Sequence, residues 1–226
     1  MAGAIIVVIC IIGAIIWGIR AGKKRRDDMT LLAARLGLAF SHERNYGLAK
    51  QYAFLDKLRQ GDNRYAYNIM SGSFQGHEIT AFDYHYETHS TDSKGNRQTH
   101  SHHFSFFILK LGAHFPELTI AKEGFFSKLA QAVGFDDIDF ESHEFSKRFV
   151  VRSKDKKFAY DFCNAQMIDY LLQHPDISLE VDQSSLALGF NRCLKVEEIE
   201  PHLKQLVEIR ALIPNYLFER QTEQDI

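Results

Sequence analysis

The sequence predicts an α+β protein, in which an N-terminal transmembrane helix precedes a soluble domain with an antiparallel sheet and several helices. Three observations lead to this prediction. An apolar run without charges, residues 2–19, opens the chain. Two runs rich in aromatic and β-branched residues, 65–74 and 77–89, flank a short turn at Gln75-Gly76. In the second half, apolar side chains recur at helical spacing.

The apolar run is predicted to be a membrane anchor. As a helix it would rise about 27 Å, close to the roughly 30 Å hydrocarbon core of a bilayer. The basic residues that follow it are Arg20, Lys23, Lys24, Arg25 and Arg26. Basic residues favour the cytoplasmic side, so we expect the inner membrane as location, with the N-terminus outside and the domain in the cytoplasm. The basic segment, residues 20–28, is also expected to contact anionic lipid headgroups.

The first half of the domain is predicted to contain one helix and three strands. Residues 29–37 are predicted to form a short helix that ends at Gly37, and residues 40–62 an irregular connection. The runs 65–74 and 77–89 predict a hairpin. A third antiparallel strand, 102–111, follows a polar loop.

The second half is predicted to alternate between strands and helices. The expected elements are a strand at 118–120, a helix at 125–133, a strand at 140–151, helices at 155–162 and 165–172, strands at 177–181 and 186–190, and a helix from Pro201 to Ile213. Alternation along 140–151 places Phe145 and Phe149 in the core. Residues 29–226 are expected to form one cytoplasmic domain, and the alternative is two subdomains, 29–121 and 122–226.

Composition argues against two classes of function. The formal net charge of −2 gives no indication of nucleic-acid binding. The three cysteines, Cys10, Cys163 and Cys193, form no Cys-x-x-Cys pair, which argues against a zinc or redox motif and suits a reducing cytoplasm. We expect no cofactor.

A His-rich hairpin is the one constellation that suggests chemistry. Its weak candidate metal ligands are His85, Glu87, His89, His100 and His102. If the Lys94-Gly95 bond centres the turn, His89 lies opposite His100, and imidazole with carboxylate could bind Zn²⁺. A solvated face is the favoured interpretation, because the ligands lie near a polar tip without evident supporting hydrogen bonds.

No complete catalytic motif accompanies these histidines. His77-Glu78 and His143-Glu144 both lack the second histidine of the metalloprotease helix motif. The runs 81–96 and 140–159 resemble a family of uncharacterised prokaryotic proteins that often carry an N-terminal membrane segment. That resemblance covers most of the soluble part and implies no activity. Its pattern centres on aromatic and acidic residues rather than on the histidines of the hairpin.

The expected function is therefore a membrane-anchored cytoplasmic interaction or scaffold module. Its expected partners are the lipid bilayer and either another protein or a second copy of the chain, with no nucleic acid. A non-enzymatic role is favoured over an enzyme. Two alternatives remain: a membrane-tethered metal-dependent hydrolase that uses the His-rich hairpin, and a sensor that encloses a small apolar ligand.

Overall fold

The computed structural model describes residues 18, 20, 22–122 and 137–224. They form a six-stranded antiparallel sheet with helices, the α+β composition that was predicted. The strands are β1 (Ala39–Ser41), β2 (Asp62–Phe74), β3 (His77–Thr91), β4 (Arg97–Ala121), β5 (Val150–Ser153) and β6 (Leu179–Gly189). The helices are α1 (22–36), α2 (Tyr46–Gln51), α3 (His143–Arg148), α4 (Lys156–Phe162), α5 (Ala165–Gln173), α6 (Val196–Leu212) and α7 (Asn215–Gln224), and a 3₁₀ turn spans Asp56–Leu58.

The predicted fold class included an N-terminal transmembrane helix, and the structure corrects this part of the prediction. Across the described ranges, no helix is both long enough and apolar enough to cross a membrane. Of the predicted span, residues 2–19, only Gly18 lies within the described residues. From residue 22 onward, α1 carries charged side chains at positions 23–28 and packs its apolar side against the sheet, so this part of the helix is buried against protein rather than lipid.

The sheet is built around β4, its longest strand. The strands β1, β2, β3 and β4 follow one another in space. The first half of β4 pairs with β3, and its last residues pair with β5. On the opposite edge, β4 pairs with β6 from Phe106 to Ile120, with register shifts on either side of Phe115.

The predicted hairpin is confirmed. Gln75 and Gly76 join β2 to β3 with φ angles of 50° and 82°. Positive φ at both positions is the conformation of a type I′ turn, whose twist matches that of paired strands. The strands predicted at 102–111 and 118–120 are two parts of β4, because the chain continues through its bulges without leaving the sheet.

Several other elements differ from prediction. The region 140–151 contains helix α3 before β5, because Ser142 caps a helix through its hydroxyl at Phe145 N–H. The strands predicted at 177–181 and 186–190 are one strand, β6. Helix α6 begins at Val196, and the connection predicted at 40–62 contains β1, α2 and the 3₁₀ turn. The helix predicted at 125–133 lies outside the described residues.

Alternation along the strands separates two apolar cores. One face of β3 and β4 carries Ile79, Ala81, Phe107 and Leu109, which pack in the larger core with α1 and the C-terminal helices. The other face carries aromatic residues such as Phe82, which pack in a smaller core beside α2 and the 3₁₀ turn. The larger core contains residues from both sides of position 121. The polar site described next continues the face of the larger core toward the tip of the hairpin.

Candidate functional site

The His-rich hairpin pairs one residue away from the predicted register. In the structure His89 lies opposite Thr99, whereas the prediction placed His89 opposite His100. A shift of one residue moves side chains to the other face of a sheet. As a result, His85 and His89 lie on one face, and His100 and His102 lie on the other.

The loop at the tip explains this difference. Residues 92–96 form a loop in which the Asp92 carboxylate accepts hydrogen bonds from the backbone N–H groups of Lys94 and Asn96. Strand pairing begins directly outside these residues. The loop is therefore centred on Lys94 itself rather than on the Lys94-Gly95 bond. A loop with an odd number of residues moves the pairing of β3 and β4 by one residue from the predicted register.

The two histidines on the far face bind hydroxyl groups. The Nε2 atom of His100 lies 2.8 Å from Ser90 Oγ, and that of His102 lies 2.8 Å from Thr88 Oγ1. The ring of His102 also stacks on Tyr86, with 4.5 Å between centroids. The structure thus does not bring His100 or His102 to the carboxylates of the opposite face.

Three possible metal ligands assemble on the face that carries His85 and His89. One of them, Asp62, was not predicted from the sequence. Oxygen and nitrogen atoms of Asp62, Glu87 and His89 lie within 4.8 Å of one another. Asp62 belongs to the start of β2, so spacing within the hairpin gave no signal for it. These atoms already have protein partners: His89 Nε2 lies 3.0 Å from Asp62, and Asn63 donates to Glu87 at 2.7 Å.

A chain of hydrogen bonds runs from Glu87 to Tyr67. His85 Nε2 lies 3.3 Å from Glu87 Oε1, His85 Nδ1 lies 3.3 Å from His103 Nε2, and His103 Nδ1 lies 3.1 Å from the Tyr67 hydroxyl. A carboxylate can only accept hydrogen bonds, so one direction of donation fits all three bonds with both rings neutral. Tyr67 donates to His103, His103 donates to His85, and His85 donates to Glu87. Burial lowers the pKa of His103, in agreement with a neutral ring.

Asp83 is the most highly bonded side chain of this face. Its side chain is 1% exposed, and the guanidinium of Arg25 donates to both of its oxygens at 2.9 to 3.1 Å. Asn68 Nδ2 and Ser105 Oγ donate at 2.9 and 2.8 Å. Arg25 also donates to the carbonyl of Leu194. This network joins α1, three strands and the segment before α6, and a bidentate guanidinium–carboxylate pair fixes their relative positions.

Arg25 is held there by the periodicity of α1. Met29, Leu32 and Ala33 are buried in the larger core. Arg25 lies four residues before Met29, so it belongs to the same side of the helix. That spacing is the signal by which sequence reasoning could have separated Arg25 from its neighbours. Its side chain is 24% exposed, whereas Arg20, Lys23, Lys24 and Arg26 are exposed.

A basic pocket opens beside this network. It lies between the start of α1, the segment after β1 and strand β2, and its volume is about 440 Å³. Its lining consists of Gly22, Arg25, Arg26, His42, Arg44, Tyr65, Tyr67, Asn68, His103 and Cys193. Among these described residues none carries a carboxylate. Burial raises the pKa of the Cys193 thiol to about 11, so at neutral pH this sulfur adds no negative charge.

A second polar cluster is buried between the 3₁₀ turn and β6. Glu180 is 2% exposed, and one of its oxygens accepts a hydrogen bond from the backbone N–H of Asp56. Its other oxygen has no hydrogen-bond partner within the described ranges. Burial raises the pKa of Glu180 to about 8. Burial also lowers the pKa of nearby Lys57 to about 8, and its ammonium group donates to Asn191 at 2.9 Å.

These shifts make stability depend on pH. The ordinary pKa of a glutamate is 4.5, so between pH 4.5 and about 8 the folded chain keeps a proton on Glu180 that the unfolded chain has lost. The free energy of unfolding therefore falls as pH rises through this window. Lys57 acts in the opposite direction at higher pH, because between about 8 and 10.5 only the unfolded chain keeps its proton.

Comparison with known proteins shows a fold but no family. No family model matches this chain, and no curated protein sequence does. Among solved structures, the chain is similar to the crystal structure of the mycobacterial trehalose monomycolate transport factor A, TtfA. The TM-score is 0.58 at 11% sequence identity, over 86% of this chain and 97% of that chain. At this level of identity, the similarity shows that the two chains share a fold.

Proposed function

We propose that this chain is a non-enzymatic interaction or scaffold module on the cytoplasmic side of the inner membrane. Its N-terminal segment holds it there, and it works with a protein partner or a second copy of itself. The fold shared with a protein named as a transport factor supports a non-enzymatic role. So does the hydrogen bonding of the His-rich face, in which the best candidate ligands are bound to one another.

The observation that carries this proposal is the attachment of α1 to the sheet. Arg25 holds the start of the helix against Asp83. The exposed basic residues Arg20, Lys23 and Lys24 therefore belong to the fixed surface of the domain rather than to a loose tether. Each basic side chain near an anionic leaflet contributes about 1 kcal/mol of attraction. A fixed basic surface orients the whole domain against the membrane, which is what a scaffold requires.

The test is the location of the full chain in cells. A reporter fused after Ile226 should be active in the cytoplasm, and the fusion should be recovered with membranes. The variant Arg20→Glu, Lys23→Glu, Lys24→Glu should lower the fraction of chains that are both membrane-bound and cytoplasmic. The matched control reverses three exposed lysines elsewhere, Lys147, Lys156 and Lys157.

Three results would contradict the proposal. Reporter activity outside the cytoplasm would refute the orientation, and recovery of the fusion in the soluble fraction would refute membrane attachment. If both charge-reversed variants lower the membrane-bound, cytoplasmic fraction equally, the basic surface of α1 contributes no more to membrane binding than other surface charges do. Crosslinking in the same cells identifies the partner, and a product of twice the chain mass identifies a second copy.

A further inference from the structure

The basic pocket contains two arginines whose charge no carboxylate of the described lining balances. Arg25 is neutralised by Asp83, as described above. Two more arginines, Arg26 and Arg44, also line the pocket, one from α1 and one from the segment after β1. Both are exposed, and the described residues of the lining offer them no carboxylate. Two arginines that line one concave space without a carboxylate in the lining are suited to bind an anion.

The geometry of Arg44 prepares it for such a ligand. Its guanidinium carbon lies 4.6 Å from the centroid of the Tyr65 ring. Tyr65 is itself fixed, because it is buried and stacks on His85 at 4.5 Å. A guanidinium that rests on an aromatic face keeps its N–H groups directed outward in its own plane, where they can bind two oxygens of one phosphate.

The remaining lining adds polar groups without adding negative charge. The Tyr67 hydroxyl and the His103 ring belong to the hydrogen-bonded chain that ends at Glu87. Burial raises the pKa of Tyr67, so its hydroxyl stays neutral. The volume of about 440 Å³ falls within the range of ligand sites and exceeds what a bare phosphate needs. There is room for a phosphate together with the group that it esterifies.

We propose that the basic pocket binds a phosphate group. Either a phospholipid headgroup or a soluble phosphate compound has this chemistry. The pocket opens beside Gly22 at the start of α1, next to the basic residues that the proposed function places against the membrane. The headgroup of an anionic phospholipid is therefore the source that we assign, and this assignment rests on the proposed function. The phosphate site itself does not.

The experiment uses the full chain in an uncharged detergent. Calorimetry measures the binding of inorganic phosphate, with sodium chloride at equal ionic strength as reference. Parallel melting curves compare micelles that contain phosphatidylglycerol with micelles that contain phosphatidylcholine. The variant Arg26→Gln, Arg44→Gln removes two charges from the pocket. The control Lys156→Gln, Lys157→Gln removes two exposed charges that lie outside both the pocket lining and the basic segment of α1.

We expect saturable phosphate binding and a higher melting temperature in phosphatidylglycerol. The arginine variant should bind phosphate more weakly by about tenfold for each arginine removed, which corresponds to about 1.4 kcal/mol each, and phosphatidylglycerol should raise its melting temperature less. The lysine control should keep both effects. Far-ultraviolet circular dichroism checks that the variants are folded.

The other outcomes distinguish a phospholipid headgroup from a soluble phosphate compound as the ligand. Phosphate binding without a preference for phosphatidylglycerol would keep the site and overturn the lipid assignment. Equal weakening in the arginine and lysine variants would show general charge attraction and overturn the site, as would the absence of saturable binding. Neither result alters the location of the full chain in cells, so failure of this proposal is distinguishable from failure of the proposed function.

Discussion

Replacing Arg25 by glutamine should destabilise the fold more than any other single change in the basic segment. The substitution removes the guanidinium that donates to both oxygens of Asp83 and to the Leu194 carbonyl. Asp83 stays buried and keeps the donors from Asn68 and Ser105. A negative charge is then left in the interior without its positive partner.

The expected loss follows from the burial of the two partners. Breaking a buried ion pair by removing one member costs roughly 3–5 kcal/mol. The Asp83 side chain is 1% exposed, but Arg25 is 24% exposed, and two other donors remain. We therefore expect the low end, about 3 kcal/mol. For a domain of this size that corresponds to a decrease in melting temperature of roughly 6–12 °C.

The assay is thermal and chemical denaturation of the full chain in an uncharged detergent. The matched control is Arg26→Gln, which removes the same charge from the next position, where the side chain is exposed; we expect a change within about 0.5 kcal/mol. Adding Asp83→Asn to Arg25→Gln should recover part of the loss, because the unpaired charge disappears. If Arg25→Gln and Arg26→Gln melt at the same temperature, Arg25 does not fasten α1 to the sheet as described.

Three further predictions concern the core, the pH dependence and the hairpin. Phe149→Ala should cost about 3–5 kcal/mol in denaturation experiments, because the ring is 3% exposed in the larger core. Glu180→Gln should remove the fall in melting temperature between pH 5 and pH 8, because the raised pKa of about 8 belongs to that carboxyl. Elemental analysis of the untagged chain should show no stoichiometric metal, and the same should hold for a variant with glutamine at four positions. Those positions are His85, His89, His100 and His102.

Each of these has a clear contrary result. An unchanged denaturation midpoint for Phe149→Ala would show that the ring does not contribute to the core; the control Tyr160→Ala removes an aromatic ring that is half exposed. A pH dependence that survives Glu180→Gln would assign it to another group. One zinc per chain, lost in the histidine variant, would make a metal-dependent hydrolase the leading hypothesis, because a zinc with an open position activates water.

Local sequence signals predicted the elements that local physics determines. The hairpin follows from the short turn at Gln75-Gly76 between two strand-like runs, because glycine readily accepts the positive φ that such a turn requires. Helices α4 and α5 were predicted from apolar spacing, and in the structure the side chains of Asp155 and Asn164 cap them. Phe145 and Phe149 were predicted to be buried because they alternate along a strand. Both are buried, although Phe145 lies in α3 and Phe149 directly follows that helix, because residues four apart share a face in a strand and in a helix.

The candidate site depended on contacts that no local pattern reveals. The register of β3 and β4 was set by how the Asp92 loop closes, so a loop centre shifted by half a residue moved His100 and His102 to the other face. Asp62 reached His89 from another strand. Arg25 was assigned to the lipid-facing segment because its composition is basic, although its spacing from Met29 marks the core side of α1.

The long strand β4 has a practical consequence for anyone who shortens this protein. Its edge opposite β3 is covered by β6, whose residues follow it by about sixty positions in the chain. A fragment that stops at residue 121 would leave that edge bare from Phe106 to Ile120, with its backbone N–H and C=O groups open to pairing with another molecule. Such a fragment should aggregate through strand addition. Any expression boundary therefore has to lie beyond Gly189, the end of β6.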